Sequence, residues 1–394
     1  MTRVALLTWP DAFEDWYGPL GISRDSYLAT YEGEWSISWA RALVEGGLDV
    51  HLVHGTLGTA LTAAQLPSGA TAHFVPTTTA YRALRHLMWG HRWWERTQRL
   101  AAVAPVAAAL SPRMVGHLVG LCPDVVVVQD YETLRYDVLA PLLRAAGLHV
   151  VALDTGASAR PSTAPWKRLS RGLAARLLAV HEEEATRLRA LGHREVEVWP
   201  VPVRTADFVP GDRGAARAEL RIGADERLVF AAARLHPVKN LPLLADACSD
   251  ADAILVVAGE GPERGRLQDL EHVRLVGWQS VEQLVQWYAA ADVVALSSRT
   301  EGQPVAVLEA FACGRGVVST AVGGVSEVVR NGRTGWLVPS GDRPALATAL
   351  RDALTDRATT DARGAAGREL VLARHTALQV AAAFSALPAQ HGHR

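Results

Sequence analysis

Short, nearly continuous apolar runs recur in two separate series along this chain, and longer helical stretches lie between them. The first series is Val4–Leu7, Val50–Val53, Val125–Val128 and Val150–Leu153. Runs so rich in Val and Leu, without polar alternation, mark parallel strands covered on both faces. Ser36–Glu45 reads as the helix between the first two, closed by Gly46-Gly47. The second series is Leu228–Ala232, Ala253–Ala258, Val273–Val276, Val293–Leu296 and Gly316–Ser319. Leu241–Ala247, Val281–Ala290 and Val305–Cys313 read as helices between those strands. Two such series imply two doubly wound α/β domains, and 394 residues suit two cores better than one. Pro200, Pro202 and Pro210 place the join within Trp199–Arg213, because proline fits neither a central strand nor a helix interior. The expected division is 1–205, 206–370 and an Ala-rich tail helix over 371–394.

Composition excludes several classes. With 40 Lys+Arg against 41 Asp+Glu, no global field draws the chain to nucleic acid or membrane. Cys122, Cys248 and Cys313 are scattered, so neither a disulfide framework nor a zinc site is readable. No run of about 18 apolar residues predicts a spanning helix. The N-terminal run meets Trp9, Pro10 and Asp11 too soon for a signal peptide, so a cytoplasmic location is expected.

The legible chemistry lies in the second series. Arg234 follows the strand Leu228–Ala232, and Lys239 precedes the helix from Leu241. Only Lys167 and Lys239 are lysines in this Arg-rich chain, which suggests that a compact point charge is wanted at 239. Two cations at a strand's carboxyl edge, near a helix N-terminus, suit a diphosphate. Gly259-Glu260-Gly261 follows another strand, where glycine lets a ligand approach the backbone. Glu301 falls in the loop after Val293–Leu296, and Glu309 in the second turn of the helix entered at Pro304. The amides of Gly302, Gln303 and Val305 are open at that helix start. One carboxylate can meet a sugar and the other a ribose diol. Asp250-Ala251-Asp252 precedes a strand, on the wrong side of the sheet for a catalytic metal, so no metal is expected.

In their order and spacing these segments resemble the retaining glycosyltransferases of family 4 (glycosyltransferase group 1). The resemblance rests on Arg234-Leu235-His236-Pro237-Val238-Lys239-Asn240, Gly259-Glu260-Gly261-Pro262, Gly277, Glu301-x7-Glu309, Gly323-Gly324-Val325-Ser326-Glu327 and Asn331 to Val338. It implies the GT-B fold, with two Rossmann-like domains facing a central cleft. It implies that Arg234 and Lys239 neutralise the nucleotide diphosphate, Glu301 holds the donor sugar and Glu309 the ribose. Gly277 and Trp278 would lie near the base. Donor contacts are also expected from Gly302, Gln303, Val305, Gly259 and Gly33. It further implies a tail helix that crosses back to the first domain.

The first domain departs from that pattern. A long aromatic segment, Thr8 to Gly18, stands where the family has a glycine pair. Gln129-Asp130 and Asp154-Thr155 stand where histidines are common. Nine of the twelve Trp precede residue 200, which suggests a special pocket. Asp15, Trp16, Glu34, Trp35, Gln129, Asp130, Glu132 and Asp154 are the expected acceptor contacts. Carboxylates with Trp favour a polar or cationic acceptor, such as an aminocyclitol or another natural product.

The function expected is metal-independent, retaining transfer of a hexose from a nucleotide sugar, UDP- rather than GDP-linked, to a small polar acceptor, with no cofactor. Arg82–Arg96, basic and aromatic, keeps a lipid-linked or cell-envelope acceptor at a membrane as the alternative. An epimerase or hydrolase, and a non-catalytic nucleotide-sugar sensor, are further readings of the same residues.

Overall fold

The computed structural model describes residues 1–29, 35–89, 103–155, 167, 170 and 172–386. The chain forms two compact units. The first is Met1–Val180, Ala185–Pro202 and Val380–Arg394; the second is His181–Glu184 and Val203–Gln379. The chain therefore changes unit at Pro202/Val203 and Gln379/Val380, rather than at 205/206 and 370/371.

The first unit holds strands β1 (Arg3–Ala12), β2 (Asp49–Thr56), β3 (Thr62–Gln65), β4 (Thr71–Pro76), β5 (Val125–Gln129), β6 (Val150–Asp154), β7 (Arg176–Ala179) and β8 (Val196–Val198). Their order is β3-β4-β2-β1-β5-β6-β7-β8, parallel except for β3 on β4. Ala5, Leu7, Val126, Val128, Val150 and Ala152 are buried in one core with Tyr136 and Leu139 of the helix Leu134–Ala145. Strand order reverses between β1 and β5, so their carboxyl ends flank a topological switch point.

Trp39 and Trp199 stack with ring centroids 4.7 Å apart, and both are buried. Trp199 Nε1 donates to the Val380 carbonyl at 3.1 Å, and its ring meets Phe384 at 5.1 Å. Val380 and Phe384 lie on the helix Ala377–Ser385. These two tryptophans thus fill core and anchor a terminal helix, which corrects the expectation that the Trp group as a whole builds a pocket.

The second unit holds β9 (Leu228–Ala232), β10 (Ile254–Ala258), β11 (Val273–Gly277), β12 (Val293–Leu296), β13 (Val317–Thr320) and β14 (Gly335–Val338). All pairings are parallel, in the order β11-β10-β9-β12-β13-β14. This is the doubly wound order, with its switch point between β9 and β12. Phe230, Val294, Leu308, Phe311 and Val317 are buried on one face, and Val229, Leu255, Leu244 and Leu350 on the other. A sheet covered on both faces needs apolar side chains on both faces, which explains the unbroken Val and Leu runs.

Candidate functional site

Arg234 and Lys239 lie beyond the carboxyl end of β9, and Glu301 and Glu309 beyond that of β12. All four therefore sit at the second switch point. Lys239 ends the turn Pro237–Lys239, and Asn240, at φ 51°, turns the chain into the helix Leu241–Asp250. Asparagine accepts that left-handed conformation at low cost. Lys239 Nζ donates to Glu301 Oε1 at 2.5 Å, and the Ser298 hydroxyl donates to the same oxygen at 2.5 Å. Side-chain exposure is 19% for Lys239 and 9% for Glu301, so the pair is largely desolvated. Arg234 is exposed and makes no ion pair among the described residues.

The two loops that carry this pair are laced together. The Arg299 amide donates to the Val238 carbonyl at 2.8 Å. The Ser297 hydroxyl donates to the Lys239 and Asn240 carbonyls at 2.8 and 3.1 Å. Thr320 Oγ1 holds the Ser298 carbonyl at 2.7 Å. The Gly324 amide donates to the Gly302 carbonyl at 2.9 Å. A Cβ on Gly323, at φ 48°, would fall 1.8 Å from the Glu301 carbonyl oxygen. Only glycine permits that approach of one backbone to another.

The helix Val305–Ala312 begins after Pro304, which occupies the N-cap rather than the first helical position. The side chain of Pro304 makes no capping bond, and its nitrogen carries no proton to donate. Gly302, Gln303 and Val305 are half-buried. Glu309 projects from the same helix, half-buried, and accepts from the Tyr288 hydroxyl at 2.8 Å on Oε2. Burial pushes its carboxyl up to about 7, against the lowering effects of Tyr288 and Arg204. Tyr288 and Ser298 were not expected from the sequence. They are ordinary residue types whose partners become adjacent only in the fold.

The glycines after β10 also answer to a close approach of main chains, and Gly259 has φ 140°. A Cβ there would fall 2.1 Å from the Ala233 carbonyl oxygen, and one on Gly261 would fall 2.5 Å from that of Leu235. The Leu235 amide donates to the Glu260 carbonyl at 2.9 Å. These glycines let the loop after β10 press on the loop that carries Arg234. Gly277 has φ 71°, and its carbonyl accepts from the Gly259 amide at 2.7 Å. Trp278 beside it is 60% exposed.

In the first unit the expected acids gather near the first switch point, but most are already neutralised. Asp15 takes Arg85 Nε at 2.9 Å and the Tyr81 hydroxyl at 2.8 Å on Oδ2. Glu132 takes Arg187 at 3.0 Å, and Asp154 lies 3.6 Å from the same guanidinium. Asp15, Glu132 and Asp154 are therefore parts of buried ion pairs, not open contacts. Arg135 bonds Asp11 at 2.5 Å and stands 4.0 Å from Asp130. Asp130 has φ 60°, and burial pushes its carboxyl up to about 6. Gln129 is buried, and its Nε2 has no hydrogen-bond partner among the described residues. Asp11 and Arg135 were not singled out in the sequence, although an acid at the end of β1 could have been. Trp16 is half-buried. Gly33, Glu34, Arg92 and Arg96 lie outside the described residues, as does the Trp35 side chain. The other lysine, Lys167, is buried with Asp137 at 2.9 Å and stands over the Tyr131 ring at 3.7 Å. Both lysines are thus point charges with close partners.

Asp250, at the end of the helix Leu241–Asp250, bonds Arg343 at 2.6 Å, and Asp252 is exposed. Among the described residues no group of three or more His, Cys, Asp or Glu could hold a metal ion. No described helix is long and apolar enough to cross a membrane.

Comparison with solved structures agrees with the GT-B fold of two parallel-sheet domains. Sucrose-phosphate synthase from Thermosynechococcus elongatus has a TM-score of 0.75 at 20% identity, over 98% of each chain. Anabaena HepE, solved in complex with UDP-glucose, has a TM-score of 0.70 at 16% identity, over 98% of each chain. Residues 212–370, within the second unit, match the family of glycosyl transferases group 1. A D-inositol 3-phosphate glycosyltransferase of Mycolicibacterium gilvum is 35% identical over 206 residues, 48% of this chain and 47% of that protein. One from Actinosynnema mirum is 35% identical over 215 residues, 47% and 52% of the two chains. The chain spans about half the length of the curated relatives it matches.

Proposed function

We propose that this protein is a retaining glycosyltransferase that moves a hexose from a UDP-sugar to a hydroxyl of a small polar acceptor, without a metal or cofactor. One observation carries the reading. Two cations, Arg234 and Lys239, follow β9 and two carboxylates, Glu301 and Glu309, follow its neighbour β12, with Lys239 and Glu301 in contact. Fixed cations aimed at a departing diphosphate lower the barrier to its release without reorganisation. Glu301 and Glu309 supply acceptors for sugar and ribose hydroxyls. A sensor or an epimerase would not need an acceptor site in the first unit, where Asp130 and Gln129 retain hydrogen-bonding capacity.

The acceptor is read as a cyclitol or a similar polyhydroxylated ring. The names of the matched relatives support that class. A lipid acceptor remains the second reading, carried by the apolar and basic composition of Arg82–Arg96. Against it, Arg85 is committed to Asp15 and Arg82 donates to the Gly58 carbonyl at 2.8 Å. Three free cysteines suit the reducing cytoplasm, which is where we place its work.

The test is a donor–acceptor screen by mass spectrometry with full-length protein, followed by kinetics of Arg234→Ala and Lys239→Ala. Each change should lower kcat by about 10²–10³, the scale of one preorganised electrostatic group. Unaltered kcat in both variants would overturn the assignment. Anionic-vesicle binding that disappears when Arg92 and Arg96 are replaced would move the acceptor to the lipid class.

A further inference from the structure

The two cations of the candidate donor site are in different states. Arg234 is exposed and makes no ion pair among the described residues, whereas Lys239 is closed onto Glu301 at 2.5 Å. The main chains around that pair are held by the bonds from Arg299 and Ser297, and by the glycine contact of Gly323 on Glu301. Neither loop can retreat cheaply, so breaking the pair is a rearrangement of side chains alone. We infer that Glu301 competes with the diphosphate for Lys239, so that the site tells an intact nucleotide sugar from the spent nucleoside diphosphate. The inference rests on the donor-site reading above.

The physics is partner exchange. A diphosphate can engage Lys239 fully only if the ammonium turns from Glu301. That leaves a carboxylate, 9% exposed, close to an incoming polyanion. Like charges in a desolvated place repel strongly, and a buried charge stripped of its partner is costly. Ser298 supplies one hydrogen bond to Oε1 but no positive charge. An intact donor brings its own remedy, because hydroxyls of its sugar can donate to Glu301 while Lys239 moves to the phosphates. After transfer the sugar has left with the acceptor. The nucleoside diphosphate then faces Glu301 without those donors, and the Lys239–Glu301 pair can close again as the product departs. Glu301 thus acts in product release as well as in donor binding.

The experiment is calorimetric titration of the full chain with UDP and, in parallel, GDP. The proteins are wild type, Glu301→Gln, Glu301→Ala, Lys239→Ala and Ser298→Ala. Glu301→Gln removes the competing charge at nearly constant volume, so the bound nucleoside diphosphate should tighten by about tenfold. Lys239→Ala should weaken it. Ser298→Ala removes a neutral donor to Glu301 and leaves its charge, so it should not tighten the nucleotide. A damaged fold would weaken binding, so tightening is a sign that mere misfolding does not give. Glu301→Ala, with an unrelated side chain, must move in the same direction as Glu301→Gln. If Lys239→Ala weakens the nucleotide but neither Glu301 variant tightens it, partner exchange is wrong and the donor site stands. If Lys239→Ala has no effect, or neither nucleotide binds wild type, the donor-site reading itself falls, and this inference with it.

Discussion

The Tyr288 hydroxyl donates to Glu309 Oε2 at 2.8 Å, joining the buried end of the helix Val281–Ala290 to the half-buried acid of the helix Val305–Ala312. Tyr288 is itself fully buried and lies 3.2 Å from the Ala306 carbonyl. A phenol has one proton to give, so the carboxylate holds it against that carbonyl. Burial puts the Glu309 carboxyl at about 7, and this hydrogen bond opposes the rise. Ribose hydroxyls donate best to the ionised form. Affinity for UDP should therefore fall as pH drops through about 7. Tyr288→Phe should move that midpoint upward, and Glu309→Gln should abolish it. A UDP-binding profile with the same midpoint in wild type and Tyr288→Phe would show that the hydroxyl does not act through Glu309.

The same group fixes a sign for stability. The folded carboxyl is raised above its ordinary 4.5, so the folded state holds a proton that the unfolded state has lost. The contribution of Glu309 to stability is therefore fullest below about 4.5 and declines as pH rises to about 7. Chemical denaturation of wild type and Glu309→Gln should show the variant with the flatter pH dependence over that window. A steeper dependence in the variant contradicts this sign.

Gly259→Ala should cost at least about 3 kcal/mol, because it combines a left-handed conformation with a collision against backbone. Gly265→Ala is the control. A Cβ there meets nothing within 4 Å, and the glycine lies in the neighbouring turn Arg264–Arg266. Urea melts of both variants decide it. Equal midpoints would mean that the loop after β10 is far softer than its contacts indicate.

Asp130→Asn tests the first unit with little structural disturbance, since Asn accepts φ 60° as readily as Asp. The variant should retain its melting temperature and its UDP affinity while the acceptor KM rises by about tenfold, the scale of one hydrogen bond to a charged group. Arg135→Leu should behave differently. It strands Asp11, which is 2% exposed, and should destabilise the fold by about 3–5 kcal/mol. An unchanged acceptor KM in Asp130→Asn removes Asp130 from the acceptor site.

Treatment with EDTA should leave turnover unchanged, because Arg234 and Lys239 provide the positive charge that a divalent cation otherwise brings to a diphosphate. Loss of turnover that Mg²⁺ or Mn²⁺ restores would assign that role to a metal instead.

The parallel strands were legible because a doubly covered strand must be apolar throughout. Leu228–Ala232 and Val293–Leu296 agree in full with β9 and β12. Thr62–Gln65 and Thr71–Pro76 were not read as strands. The first is an exposed edge strand with no apolar run, and the second opens on Thr71 and carries His73. The positions of Glu301 and Glu309 followed from strand ends and a proline. Their partners did not, because Tyr288 lies 21 residues from Glu309 and Lys239 lies 62 from Glu301. The acids of the first unit looked open for the same reason. Arg85 reaches Asp15 across 70 residues, and Arg187 reaches Glu132 across 55. A linear reading sees a carboxylate at a strand end, but burial determines that it must find a cation.

The glycine contacts have a thermodynamic consequence. Where Gly259 meets Ala233 and Gly323 meets Glu301, main chain rests on main chain with no side-chain layer between. Such loops cannot breathe without losing their packing and nearby hydrogen bonds. Their conformational entropy is surrendered once, during folding, and little remains for a nucleotide to freeze on arrival.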